Sequence, residues 1–473
     1  MGLLQIGASL LISLLIGALA RGMWRTYLLL AMSVLAIYWF QPLLPLRSFD
    51  FWLPSLSLAL VLLTWSLISP PGAWRLGQNL VALSIIFGLV TFIDLSRYFL
   101  PEPVLMATTP PQLLQYLIFV FSAGVIVLSV AGISRRSTWA IPGVILLLIL
   151  ILIVLKNPEL SRQASILFRT FANRSVENAS STDLRWLGFS YIAFRLLHVL
   201  RDKQMARLPE LSLPEFATYV VFFPSLAAGP IDRAERFAQD LRKEFSLTQE
   251  EALLVGERIL LGLFKKFVIA DALGWIALND ALATQVRTGG WMWIVVYAYA
   301  FQIYFDFSGY TDIVIGIAGL VGVKLPENFA APYTKPNLTL FWNSWHMTLT
   351  QWFRAYFFNP FNRWMRRFKN LPVWIMILIG QVATMSLIGL WHGITLNFIL
   401  WGLWHGLGLF IQNRWSDWIR RRYPHADQDP RLPGILQIGG ILLTFHFVAL
   451  GWIFFALSQP SLSWLVFRKL FGM

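Results

Sequence analysis

Residues 390–408 read "LWHGITLNFILWGLWHGLG", and the tripeptide Trp-His-Gly occurs in them twice, at 391–393 and 404–406. No charged side chain interrupts the stretch, and its polar groups are confined to His392, Thr395, Asn397 and His405. A run of this kind folds as helix in a membrane or a deep core, because only a helix satisfies its own backbone without water. Similar runs recur outward in both directions, at 3–20, 27–38, 51–68, 80–93, 117–133, 141–155, 186–200, 219–228, 253–268, 291–303, 313–323, 373–390, 396–410 and 435–455. Of all residues 57% are hydrophobic and 13% charged, against roughly 25% charged in a soluble domain. Mean hydropathy is +0.62. The expected class is an all-α polytopic membrane protein, with about 11 spanning helices and shorter re-entrant or interfacial pieces.

The formal charge of +14 would suggest nucleic acid in a soluble protein. Here the basic residues gather in short segments between apolar runs: 21–25, 134–137, 201–207, 265–266, 363–369 and 414–423. That distribution marks cytoplasmic loops against anionic lipid and predicts a multi-pass protein of the cytoplasmic membrane, with no nucleic-acid partner. The 22 Trp and 13 Tyr supply interfacial belts. The first apolar run lacks a basic n-region and reads as an anchor helix rather than a cleaved leader. Cysteine is absent, which excludes disulfides, thiolate metal sites and a cysteine nucleophile. No metal and no permanently bound cofactor are expected.

Composition divides the chain into four parts. Residues 1–156 form an apolar block with no motif that demands chemistry, in which Asp94 is expected to pair with Arg97 at i, i+3. Residues 157–185 are a polar connector of loop composition. Residues 186–410 mix polar, Pro and Gly residues into apolar runs, as where broken helices line a cavity. Residues 411–473 hold a basic loop and a last spanning helix. No internal repeat of the kind found in secondary transporters is visible.

Five of the six histidines lie in apolar surroundings (His198, His346, His392, His405 and His446), and His425 reads as a loop residue. An ionisable group inside a membrane segment is costly and so marks a candidate site. Read as one helix, 338–357 carries an aromatic stripe (Trp342, Trp345, Leu349, Trp352, Tyr356) beside a polar one (Asn343, His346, Thr350, Arg354). A polar stripe either lines a tunnel or lies at the membrane interface. On an unbroken helix, His392 and His405 stand about 140° apart, so they share a site only if the helix breaks between them. Local polarity, with Gly393, Thr395 and Asn397, favours His392 for chemistry. The glycines around His405 favour packing.

The elements "FWNSWHMTLTQWFRAYFF" and "LWHGITLNFILWGLWHG", with "LGFSYIAFRLLHVLRD" at 187–202, "FFPSLAAGPIDRAERF" at 222–237 and "FDFSGYTDIVIGIAGLVGVKLPENFAAPY" at 305–333, resemble the membrane-bound O-acyltransferase family. The likeness is to its bacterial branch of alginate O-acetyltransferases and teichoic-acid D-alanyl transferases, and it covers roughly residues 185–410. One departure is "FFNPFNR", where alginate-type members carry Leu-Gly-Gly-Asn-Arg. The resemblance implies a ring of helices around a central funnel, with His392 at the principal catalytic position and His346 at the second. It also implies an acyl thioester donor, either acyl-CoA or an acyl-carrier phosphopantetheine, and a periplasmic or extracellular esterase-like partner.

Neutral imidazole, with an unperturbed pKa of about 6.5, suits His392 to take a hydroxyl proton. His346 with Asn343 would orient the acceptor or the oxyanion, and Arg354 would hold a donor phosphate. Trp345, Thr350, Trp391 and Asn397 complete the expected substrate tunnel. The competing classes are a transporter or lipid flippase, and a non-catalytic scaffold.

Overall fold

The computed structural model describes residues 2–134, 137–368, 370–422 and 432–472. His425 lies outside the described residues. Among those described the chain is helical, with no strand. In chain order the helices are α1 (Leu3–Leu19), α2 (Gly22–Trp39), α3 (Phe49–Ile68), α4 (Gly77–Leu95), α5 (Leu113–Ser134), α6 (Ala140–Lys156), α7 (Pro158–Phe171), α8 (Phe189–Gln204), α9 (Leu213–Val221), α10 (Ala234–Arg242) and α11 (Gln249–Phe264). There follow α12 (Asp271–Gly274), α13 (Asp280–Gln285), α14 (Gly289–Leu320), α15 (Leu338–Trp342), α16 (Met347–Phe353), α17 (Asn359–Met365), α18 (Val373–His392), α19 (Leu396–Arg422), α20 (Leu432–Ala456) and α21 (Pro460–Phe471).

The count of about eleven spans is not reproduced. Among the described residues five helices are long and apolar enough to cross a membrane, or six if the bent pair α6–α7 forms one span. Helix breaks divide two of the other apolar runs. The run at 219–228 becomes the nine-residue α9 and a 3-10 turn at Phe223–Ser225 around Pro224. The run at 253–268 passes from α11 into a π-helical turn, Lys265–Ala270.

The chain forms two compact units, Met1–Ile259 with Val314–Pro326, and Leu260–Ile313 with Glu327–Met473. In the first, α3 is the central helix, with 72% of its most apolar window buried, whereas 6% of α5 is buried. Helix α5 is apolar on every face and presents most of that surface outward, as a lipid-facing span does. The paired Asp94 and Arg97 do not form. Asp94 is fully buried with neither carboxylate oxygen hydrogen-bonded, while Arg97 Nη1 donates to Pro110 O at 2.9 Å.

Two further expectations change. Arg25, counted among the loop cations, is 1% exposed. Its Nη2 donates to the carbonyls of Asp240, Leu241 and Lys243, so it caps the C-terminal end of α10, where carbonyls lack helical partners. The connector 157–185 is folded. Asn157 caps α7, accepting from the amides of Glu159 and Leu160, and Pro158 fills the first turn. Helix α7 turns 97° from α6. It presents Ser161, Ser165 and Arg169 to the 3-10 turn Ser181–Leu184, where Arg169 Nη2 meets Asp183 Oδ2 at 2.7 Å. Helical amphipathicity was present there, but its buried stripe is the polar one, which a composition reading takes for loop.

His198 is buried in this unit beside Tyr219, whose hydroxyl lies 3.1 Å from Nδ1 and donates to Asp232 O at 2.9 Å. Arg195 donates to Val220 O, Ser225 O and Ser225 Oγ. The "FFPSLAAGPID" loop is thus held by buried polar side chains of α8.

In the second unit, α18 and α19 make a tight antiparallel pair. A Cβ on Gly402 would lie 2.5 Å from Ser386 Cα, and one on Gly406 2.7 Å from Val382 Cα. The glycines are the reason two backbones can approach so closely. Lys265 Nζ meets Asp312 Oδ2 at 2.8 Å, and Lys266 pairs with Asp306. These pairs tie the π-helical turn to α14, with Gly262 and Gly309 in backbone contact between them. The "KK" at 265–266 is therefore engaged with carboxylates.

Candidate active site

The helix expected over 338–357 is broken. Helix α15 ends at Trp342, and α16 begins after His346, whose backbone is left-handed (φ 42°, ψ 53°). A side chain with a Cβ rarely adopts this region, and a residue held there is strained by about 1–3 kcal/mol. The strain is imposed by a neighbouring loop. Asn328, fully buried, accepts from Thr348 Oγ1 at 2.6 Å and Thr348 N at 3.2 Å through Oδ1. Its own carbonyl accepts from Met347 N at 2.9 Å, and Ala330 N donates to Ser344 O at 3.0 Å. The loop thus caps α16 and pins the break, a role no sequence pattern disclosed.

The kink sets the His346 ring into the interior at 3% exposure. Neither ring nitrogen has a hydrogen-bond partner among the described residues. The ring stands edge-on to Phe307 at 4.8 Å and to Trp391 at 6.2 Å between centroids. Trp391 in turn lies 4.6 Å from the His392 ring. His392 is the last residue of α18 and is half-buried, with Phe455 at 4.7 Å and Phe398 stacked at 5.9 Å. Two helix ends, the start of α16 and the finish of α18, therefore bring both histidine rings against one indole. Helix ends are where a side chain can be aimed independently of the helical stripe.

The run 390–408 does break, at residues 393–395, so His392 and His405 lie on different helices. Both rings touch Trp401, at 5.9 and 4.9 Å. His405 is nonetheless fully buried, enclosed by Trp342 at 5.1 Å, Phe447 at 5.8 Å and Trp452 at 6.1 Å.

The other expected site residues divide into three places. Asn343 Oδ1 accepts from Arg354 Nη2 at 2.6 Å, so this pair stands together, at the exposed side. Thr350 and Arg354, with Trp342, line a cavity of about 290 Å³ against α18 and α19, and Arg354 opens a second π-helical turn, Arg354–Phe358. Such turns recur at functional sites because they re-aim side chains. Trp345 is packed in an aromatic core with Phe341, Tyr333 and Trp452, at 5.6, 5.8 and 4.9 Å. Asn397 is buried, its Nδ2 donating to Leu457 O at 2.6 Å and Ser463 Oγ at 3.3 Å, which fastens the start of α19 to the α20–α21 turn. His446 is held by Leu442 O at 2.7 Å from Nδ1.

Residues 106–450 match the membrane-bound O-acyltransferase family. The chain belongs to that family. This O-acyltransferase is 32% identical over 278 residues to the teichoic acid D-alanyltransferase of Bacillus subtilis, covering 58% of this chain and 69% of the relative. It is 32% identical over 294 residues to the probable alginate O-acetylase of Pseudomonas aeruginosa, covering 60% and 51% of the two chains. It is 34% identical over 270 residues to the peptidoglycan O-acetyltransferase of Helicobacter pylori, covering 55% and 47%. The family places the enzyme in the cell membrane as a multi-pass protein, in accord with its spanning helices. Within the quoted element 305–333, the residues to which sequence reasoning gave no role are Asn328 and Phe307, which set the His346 ring. Each acts through a contact made by the fold.

Proposed function

We propose that the enzyme moves an acetyl or D-alanyl group from a cytoplasmic thioester donor to a hydroxyl of a cell-envelope polymer, aided by an extracytoplasmic partner. The observation that carries the reading is the convergence of His346 and His392 on Trp391 from two helix ends. The relatives are named for three chemically different polymers. What those polymers share is an acylated hydroxyl, so the common chemistry is O-acylation.

The hydroxyl oxygen attacks the thioester carbonyl carbon as its proton passes to the His392 ring. The carbon–sulfur bond then breaks, and the departing thiolate takes the proton from the imidazolium. A new ester and a free thiol result. General base catalysis of this kind contributes about 10²–10⁴-fold. His346, whose ring nitrogens have no hydrogen-bond partner among the described residues, donates in this reading to the acceptor or to the developing oxyanion. The aromatic walls formed by Phe307, Trp391, Phe398 and Phe455 exclude water, which protects the thioester from hydrolysis.

The test is transfer of a labelled acyl group by the enzyme in liposomes, with a thioester donor and a polymer acceptor. His392→Ala is expected to lose transfer by about 10²-fold or more. His346→Ala should be severely impaired, and His405→Ala should retain substantial activity. Full activity in His392→Ala overturns the assignment. Normal substrate movement by that variant, without acyl transfer by the parent enzyme, would revive the transporter reading.

A further inference from the structure

Helix α18 carries a second set of polar groups that the two histidines do not use. Gln381, Thr384, Met385 and Ile388 all line the cavity of about 290 Å³, and at helical spacing their stripe continues into His392. The face of α18 that borders the cavity is therefore the face that bears the histidine. From Gln381 to His392 the helix axis rises about 16 Å.

Gln381 Oε1 is buried and accepts no hydrogen bond from any described residue. Buried acceptors are nearly always paired, so an orphan beside a cavity points to a donor arriving with a ligand. The neighbouring groups are committed elsewhere or face outward. Thr384 Oγ1 donates to its own helix, to Gly380 O at 2.6 Å. Arg354 spends one nitrogen on Asn343 and keeps further N–H groups for a ligand. Arg354 and Asn413 stand at the cavity's outer side, and α19 runs on from Asn413 to Arg414, Arg420, Arg421 and Arg422. The matching ligand is linear, carries a hydrogen-bond donor part-way along its length, and is anionic at the end near Arg354.

We propose that Gln381 is a positioning residue for the acyl donor. Its Oε1 accepts from an N–H or O–H group midway along a flexible thioester arm. The anionic outer end of that arm lies at Arg354, and its acyl carbon reaches His392. The inference rests on the acyl-transfer reading above. An amide-bearing thioester arm ending in phosphate is common to acyl-coenzyme A and to a carrier protein bearing phosphopantetheine, so both are assayed.

The experiment is steady-state transfer by the full chain in inside-out membrane vesicles, which retain the extracytoplasmic partner, comparing the parent with Gln381→Met and Gln381→Leu. Acetyl and D-alanyl thioesters of coenzyme A, of an acidic carrier protein, and of N-acetylcysteamine serve as donors; the last lacks the outer arm. The source is the arm, coenzyme A or carrier, that the parent enzyme turns over. With that donor, KM should rise about tenfold in both variants, as expected for one lost hydrogen bond. The kcat and the acceptor KM should stay within about twofold, and with the truncated thioester the variants should match the parent. An unchanged donor KM overturns the proposal. So does an equal loss with full-length and truncated donors, the signature of a purely structural role. A parent enzyme inactive with every thioester overturns the acyl-transfer reading and this inference together, a result distinct from either of those.

Discussion

At the scale of single residues, the most informative departure is the left-handed backbone of His346 (φ 42°). Glycine meets no Cβ penalty there, whereas alanine does. His346→Gly is therefore expected to unfold at higher temperature than His346→Ala, by an amount worth about 1 kcal/mol, while both lose transfer. Thermal unfolding in detergent beside an activity assay separates strain from chemistry. Equal stabilities would show that the left-handed turn relaxes once the ring is gone. Asn328→Ala removes the acceptor of Thr348 N and Thr348 Oγ1, two hydrogen bonds worth about 0.5–1.5 kcal/mol each. Its melting temperature should fall, and transfer should fall further than stability does, because the α16 start that aims His346 is lost. His405 is the opposite case. Both its nitrogens lack partners among the described residues and it is sealed by tryptophans, so an apolar replacement gives up packing but none of the described hydrogen bonds.

At the scale of elements, the α18–α19 pair depends on small residues at the crossing. Gly402→Val would drive a branched side chain into Ser386 Cα and Met385 O, 2.5 and 2.7 Å from its Cβ. Backbone atoms cannot give way as a side-chain tip can. The variant should fail to accumulate as a folded protein or lose transfer, whereas Leu407→Val, on an exposed position nearby, should accumulate and act normally. Comparing fluorescence size-exclusion profiles and transfer rates of the two reads this directly. Sequence pattern placed α18 and α19 well but missed the division of 338–357. A propensity argument sums local preferences, and nothing local reveals that Asn328, eighteen residues before His346 in the chain, holds the break open.

For the whole molecule, the lack of cysteine makes any introduced thiol unique. The positive-inside rule predicts that the basic end of α19 faces the cytoplasm. Arg421→Cys should react with a membrane-impermeant maleimide in inside-out vesicles and stay unlabelled in intact cells. Labelling of intact cells would reverse the orientation on which a cytoplasmic donor depends. The same rule overcounts loop cations: Arg25 is sealed inside the first unit, and Lys265 and Lys266 are paired with carboxylates. Net charge is a property of composition, but which charges reach a lipid surface depends on burial.

The sequence by itself determined the helical membrane class and the O-acyltransferase family, because hydropathy and motifs are carried by neighbouring residues. Tertiary structure alone decided that the polar connector folds with its polar stripe inward. It also decided that Asn397 and Trp345 are engaged in the packed interior, and that His346 meets Trp391 through a strained turn. Each of these depends on a partner distant in the chain, such as Asn328, Asp183 or Leu457. A residue's contacts across space, unlike its hydropathy, are not written beside it.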